Sequence, residues 1–347
     1  LVPREPLLSR RNQVCVAALN PSPNTRICDT AVSAGVRYES GNDWALPNDE
    51  IPDGSFGLLR ADEQALQLVT DPTGSRTIWY LHAEDYFIAS TSQRAIVALA
   101  RSFQLNAQAS AWMLSTGAVG PWQSWDERIR MVPPNSIASL NLFNWTLTED
   151  IRQYEYCAEE QSEDHFIHAL QEKLGEVFAA IGEYSPDWVI PLSGGVDSRG
   201  IMLWLPDPRR FKYVTWGSEA ANGNPASDAA VAAQLARKYD LEHRYVPLRE
   251  RITNPEAFFA KFIAAGEGRI SNISGYLDEF KFWEELHACE CPGVLRGDQV
   301  FGGPRLRRPI QVLELQNLCR LSDMPKPFRS LARHFPDQNV PPQLLRR

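Results

Sequence analysis

The residues whose types and spacing could do chemistry are Ser193-Gly194-Gly195-Val196-Asp197-Ser198. The apolar run Trp188-Val189-Ile190-Pro191-Leu192 leads into them, and Arg199 to Leu205 leaves at helical spacing. Strand, glycine turn and helix form a local architecture that cradles phosphate. Glycines let the backbone approach an anion closely, and the new helix offers free N–H groups at its positive end. Ser193 and Ser198 add hydroxyl donors. A carboxylate beside phosphate repels it unless a divalent cation lies between them, so Asp197 reads as a magnesium ligand. The same residues also suit a plain strand-to-helix turn with Ser or Asp as its cap, and spacing alone leaves both readings open. No Lys follows the glycines, so this is not the G-x-x-x-x-G-K-[ST] loop.

The elements that must position this loop are legible around it. Phe166 to Ile181 carries apolar residues at helical spacing, with a polar, acidic linker before it at Glu159 to Asp164. Phe211 to Gly217 and His243 to Leu248 read as buried strands, and Gly293-Val294-Leu295 as a fourth. Helices are expected from Asn224 through Tyr239, over Pro255 to Ala265 and over Leu277 to Ala288. Strands alternating with helices predict a parallel sheet covered on both faces, with ligands beyond the strands' carboxyl ends. The glycine loop, Trp216-Gly217 and Arg296-Gly297-Asp298 all fall at such ends and can share one crevice. Trp216 could contact adenine or be a buried strand aromatic. His243, like His165 and His168, reads as packed or solvent-facing rather than catalytic.

The first 150 residues read as short strands and turns: Gln13–Leu19, Asp53–Leu59, Leu66–Thr70, Thr77–Leu81 and Tyr86–Ser90, then a helical Gln93–Phe103 and a hairpin opening at Val132–Ser136. Asp53 and Asp71 read as turn formers. The chain's 347 residues allow two domains of ordinary size, and 44% hydrophobic with 22% charged residues describes a globular protein. A formal charge of −8 argues against a nucleic-acid partner, although Arg305, Arg307 and Arg308 form a local basic patch. The six cysteines are scattered and lack zinc spacing, which suits reduced thiols in the cytoplasm. No run approaches a membrane span, and no signal-peptide apolar region opens the chain.

Ser193 to Ser198 resembles the S-G-G-x-D-S pyrophosphate loop of the ATP pyrophosphatase superfamily, and its flanks are similar to the asparagine-synthetase-like branch. Arg296-Gly297-Asp298-Gln299-Val300-Phe301-Gly302-Gly303 resembles the G-x-G-x-D-E-L-F-G-G segment of asparagine synthetases and their lactam-forming relatives. Val294 and Arg296 stand where that segment has leading glycines, and Gln299 replaces Glu. Ser227-Asp228, with His243 opening the next strand, is also similar to the family. The succession D-G-S-F, D-P-x-G-x-R, F-x-A-S and V-P-P-x-S in the first half looks like the N-terminal glutaminase domain of these enzymes. That domain works through an N-terminal cysteine, whereas Cys15 falls inside an expected strand and the glutamine-holding motifs are missing.

The resemblance implies an α+β N-terminal domain over residues 1–155, with antiparallel sheets: a degenerate N-terminal-nucleophile glutaminase of the class II amidotransferase type. It implies an α/β synthetase domain over 160–347, with a parallel sheet of the adenine-nucleotide α-hydrolase (PP-loop) type. It further implies ATP and Mg2+, the ion shared by Asp197 and Asp298, with Ser193, Gly194, Gly195, Ser198, Gly217 and Gly297 around the nucleotide. Lys326 matches the family's lysine that stabilises charge on the reacting acyl group, although about 20 residues, rather than the family's domain's worth of helices, separate it here from the Arg296 to Gly303 segment. The activity implied is amide formation through an acyl-adenylate, most similar to lasso-peptide macrolactam synthetases. A leader peptidase and a leader-binding protein would be partners, and a precursor peptide or small amino-acid-derived molecule the substrate. A β-lactam synthetase, an ammonia-using asparagine synthetase, a sulfur- or tRNA-modifying pyrophosphatase and a non-catalytic ATP-binding regulator are the alternatives.

Overall fold

The computed structural model of the chain describes residues 5–38, 43–120, 122–152, 160–184, 187–248, 252, 254–270, 273, 276, 278, 280–289 and 291–297. Asp298, Lys326, Arg305, Arg307 and Arg308 lie outside the described residues.

The first half is antiparallel. A hairpin of β1 (Leu7–Arg11) and β2 (Val14–Ala18) precedes β3 (Arg26–Cys28), β4 (Ala31–Arg37), β5 (Gly54–Ala61), β6 (Ala65–Thr70), β7 (Trp79–His82) and β8 (Phe87–Ser90). Helices α1 (Gln93–Ala100) and α2 (Ala107–Thr116) follow, then β9 (Arg130–Met131), β10 (Ser136–Asn141) and β11 (Leu147–Ile151). The larger sheet runs β11-β10-β6-β5-β4-β3 and the smaller β8-β7-β9. Alternation along the strands decides how they stack. Leu68 and Ala138 of the large sheet meet Tyr80, Phe87 and Ala89 of the small one. Trp79 and Leu81, one residue out of phase with Tyr80, turn outward to Ile96 of α1. Phe56, Leu58 and Val69 are covered by the segment carrying Trp44 and Ala45.

The second half is parallel. Helix α3 (Glu163–Tyr184) leads to β12 (Val189–Pro191), α4 (Val196–Trp204), β13 (Lys212–Gly217), α5 (Glu219–Asn222), α6 (Asp228–Tyr239), β14 (Glu242–Pro247), α7 (Pro255–Gly266) and α8 (Lys281–Ala288). The sheet runs β12-β13-β14, every pair parallel. On one face Ile190, Leu192 and Tyr213 pack with Phe178 and Ile181 of α3, Met202 of α4 and Ala232 and Ala236 of α6. On the other, Val189, Val214 and Val246 pack with Phe282 and Leu286 of α8.

The fourth expected strand is reduced to a single parallel bridge, Val294 to Val189, on the free side of β12. Pro292 just ahead of it has no N–H to extend the ladder. Helix α6 starts at Asp228 rather than Asn224, because Ser227 caps it: its hydroxyl accepts from Ala230 N–H at 3.1 Å. Helix α3 has the predicted period, yet Phe166, Ile167, Leu170 and Val177 are exposed and burial begins at Phe178. Among the described residues no helix is long and apolar enough to cross a membrane.

Candidate functional site

The sheet order Val294-β12-β13-β14 places β12 where the chain's direction across the sheet reverses. From β12 one connection runs outward through α4 to β13, and the bridge at Val294 lies on the opposite side. A crevice opens beyond the carboxyl ends of the strands at such a reversal. Ser193 to Ser198 leaves β12 there, and Leu295-Arg296-Gly297 leaves the neighbouring bridge.

The loop is held by its own hydroxyls. Ser193 N–H donates to Ser198 Oγ at 3.1 Å, and the two hydroxyls lie 3.0 Å apart. Gly195 N–H donates to Ser193 Oγ at 3.1 Å. Gly194 N–H donates to Asp228 Oδ1 at 3.2 Å, and a Cβ at Gly194 would stand 2.5 Å from that oxygen. Only glycine admits the carboxylate there. Gly195 is the N-cap of α4 with extended backbone (φ −67°, ψ 155°) and no side-chain cap. The first-turn N–H groups of α4, at Val196, Asp197 and Ser198, therefore carry the partial positive charge of an uncapped helix start. Gly195, Val196 and Asp197 are exposed, so the start of the helix is open to solvent.

Gly297 packs directly on this turn. A Cβ added to it would lie 2.9 Å from Asp197 Cβ and 3.2 Å from Ile201 Cδ1. The two constellations singled out in the sequence thus meet, with Asp298 following Gly297 by one residue. For magnesium the donor set fits: Asp197 supplies hard carboxylate oxygen in an open position, and this ion uses one or two carboxylates with waters and phosphate oxygens. Among the described residues no group of three His, Cys, Asp or Glu could hold a metal.

Behind the loop, Thr215 Oγ1 donates to the Leu192 carbonyl at 2.5 Å. The buried Thr215 hydroxyl has one proton, so its other contact, His243 Nε2 at 2.9 Å, must donate to it. Burial lowers the His243 pKa. Gly217 lies under the Tyr245 hydroxyl, which donates to the Ser218 carbonyl at 2.7 Å. Trp216 is stacked on Phe282 (centroids 4.1 Å, planes 28° apart) and belongs to the core. Asp53 and Asp71 are turn formers: Asp53 accepts from Gly54 N–H, and buried Asp71 accepts from the N–H groups of Phe56, Thr73 and Ser75. Cys15 sits exposed within β2.

The part that Asp228, the first residue of α6, plays in the loop was not foreseen in the sequence. The available signal was a carboxylate one position after a serine cap, at the carboxyl end of the sheet. A cavity of about 740 Å3 lies at the other end of the sheet, lined by Trp188, Lys212, Glu242, His243, Arg244 and Cys291 among others.

No protein-family model matches the chain. No curated protein matches it either. A solved structure that does match is glutamine phosphoribosylpyrophosphate (PRPP) amidotransferase from B. subtilis, complexed with ADP and GMP, at 12% identity and a TM-score of 0.21. The match covers 60% of this chain and spans 37% of that one. Similarity at that level carries no inference about activity.

Proposed function

We propose that the chain is an ATP-dependent carbon–nitrogen ligase that forms an amide through an acyl-adenylate, closing a lactam ring in a precursor peptide. The reading rests above all on the packing of Gly297 against Asp197, at the reversal point of the parallel sheet. That contact joins the serine-glycine loop to the segment leading into Asp298. A substrate carboxylate, the side chain of an Asp or Glu, attacks the α-phosphorus of ATP and pyrophosphate leaves. The peptide's N-terminal amine then attacks the acyl carbon, AMP departs and the amine's proton is lost to solvent.

In this reading the first-turn N–H groups of α4 and the hydroxyls of Ser193 and Ser198 orient the phosphates. Asp197 and Asp298 would hold Mg2+, which offsets the charge of the pyrophosphate leaving group. Asp228 fixes Gly194, and Thr215 fixes the Leu192 carbonyl, so the loop is preorganised before nucleotide arrives. Lys326 stabilises charge on the tetrahedral intermediate. The antiparallel first half serves as scaffold, and a leader peptidase and a leader-binding protein supply the peptide.

The test is product analysis with ATP, magnesium and candidate peptides. AMP and pyrophosphate should appear rather than ADP, with a peptide product lighter by one water. Asp197→Asn and Asp298→Asn should each lower AMP release by about 100-fold or more, the size seen when one transition-state charge partner is lost. ADP as product, or AMP release within a few-fold of wild type in Asp197→Asn, would refute the proposal.

A further inference from the structure

At the end of α7 the chain crosses to the first half of the molecule. Glu267 adopts the left-handed conformation (φ 53°) and its carboxylate caps α1. Ser92 Oγ donates to it at 2.5 Å, and the N–H groups of Gln93 and Arg94 at 3.3 and 3.2 Å. Trp125 Nε1 donates to the Glu267 carbonyl at 3.0 Å. Two residues on, Arg269 is pinned through its backbone: its N–H donates to the Gly266 carbonyl at 3.0 Å and its carbonyl accepts from Val119 N–H at 3.1 Å.

The Arg269 side chain is not satisfied in the same way. Its guanidinium lies 5.1 Å over the Trp79 ring, and its buried Nε has no hydrogen-bond partner. Burial lowers its pKa, against which Glu267 works. Arg269 as a whole is half-buried, but an orphaned buried donor such as its Nε calls for a missing ion, water or ligand. Beside it is a cavity of about 510 Å3, also lined by Arg94, Ser92, Thr91 and Glu267. Arg94 is exposed and gives one N–H to the Ala264 carbonyl at 3.3 Å.

We infer that this cavity is a carboxylate-binding site, with Arg269 as its half-buried anchor and Arg94 at its rim. Two guanidinium groups and one carboxylate line the cavity, and the oxygens of that carboxylate, Glu267, are already taken by α1. One positive charge is left over, which matches a monoanion rather than a phosphate dianion. The planar fork of arginine also fits the two oxygens of a carboxylate. The volume suits a ligand of amino-acid to short-peptide size. The site is separate from the nucleotide loop, and the inference stands whether or not the chain is a ligase.

Sodium acetate is the probe, titrated into the full chain at constant ionic strength against sodium chloride, with thermal unfolding and line broadening of 13C-acetate as readouts. A saturable acetate-specific rise in Tm is expected, abolished in Arg269→Met and weakened several-fold in Arg94→Gln. Arg269→Met keeps the stem over Trp79 and should be at least as stable as wild type without acetate, which an arginine serving only to pack the ring would not show. Saturation by N-acetyl-Ala-Glu-Ala-amide would assign the site to an acidic peptide side chain, and its exclusion to a small free acid. No acetate response beyond chloride would overturn the inference, as would saturation by phosphate at lower concentration than acetate. If Arg269→Met does not fold, the exposed Arg94→Gln decides: acetate binding equal to wild type would overturn it.

Discussion

Gly297→Ala is the most direct perturbation of the contact on which the proposed nucleotide site depends. The added methyl carbon would start 2.9 Å from Asp197 Cβ, 3.2 Å from Ile201 Cδ1 and 3.4 Å from the Asp197 carbonyl carbon. Carbon pairs are comfortable at about 3.5–4.0 Å, so the two loops must separate by roughly 0.5–1 Å. Overpacking of this kind costs on the order of 1–3 kcal/mol where the surroundings resist. Both loops are open to solvent on one side, so the stability loss should fall near the lower end of that range. The catalytic loss should be larger, because a displacement of about 1 Å in a positioned group is worth about 100-fold in rate. The assay is AMP release at saturating ATP, with urea unfolding of the same preparation. Gly175→Ala is the control, since nothing lies within 4 Å of a Cβ there. In the interior of α3 it should raise stability by about 0.5–1 kcal/mol and leave AMP release unchanged. AMP release within two-fold of wild type in Gly297→Ala would refute the claim that the two loops must touch for catalysis.

Thr215→Val removes the hydroxyl that joins the Leu192 carbonyl to half-buried His243, leaving the buried carbonyl without this partner, and should destabilise the chain by about 1–3 kcal/mol. Thr215→Ser should recover most of this, and equal stability of the two variants in urea would show the bond to be irrelevant. His243 has a folded pKa held below its ordinary 6.5 by burial, so the unfolded chain binds its proton first as pH falls. Its contribution to stability is therefore complete above about pH 6.5 and declines as pH drops from there toward the folded value. His243→Gln should flatten that part of the stability–pH curve, and an unchanged slope between pH 7.5 and 5 would refute it.

Much of the second half was readable because burial there writes itself into short apolar runs bounded by glycine and proline. Phe211 to Gly217 became β13 with one residue trimmed, and His243 to Leu248 became β14 shifted by one. The first half was less legible. Strand β1 is Leu-Leu-Ser-Arg-Arg, with almost no burial to impose a period, and β4 is Ala-Val-Ser-Ala-Gly-Val-Arg, buried yet built from small residues. Helix α2 went unread although Asn106 caps it, its side chain accepting from the N–H groups of Gln108 and Ala109. At the site, the glycine loop was readable because its chemistry is local. The approach of Gly297 to Asp197 was expected only as a shared crevice at the strand ends, and the contact itself depends on the 294 segment joining β12 on the side away from β13. Neither composition nor periodicity encodes strand order. Asp228 escaped for a related reason: its bond to Gly194 spans 34 residues.

The two ends of the parallel sheet offer rival places for a triphosphate, and a cavity of about 740 Å3 lies at the amino end. Charge does not favour that end. In a parallel sheet wound with helices, each helix following a strand starts at the carboxyl end, so the positive ends of α4 and α6 point there. Asp228, the first residue of α6, meets Gly194, two residues ahead of α4. The amino end receives the negative ends of the same helices. Its cavity is lined by Asp187 and Glu242, and one of its cations, Arg244, is already paired with Glu285 at 3.1 Å. A ligand with three or four negative charges would meet repulsion there, whereas at the loop the helix starts attract it and a divalent cation would offset Asp197. The carboxyl end also has the only glycine in the described parallel half whose absent side chain makes room for a carboxylate oxygen. Nucleotide binding by a chain with Asp228→Asn, which spares the Gly194 bond but removes its charge, should therefore persist or tighten, and its loss would shift the site away from this loop.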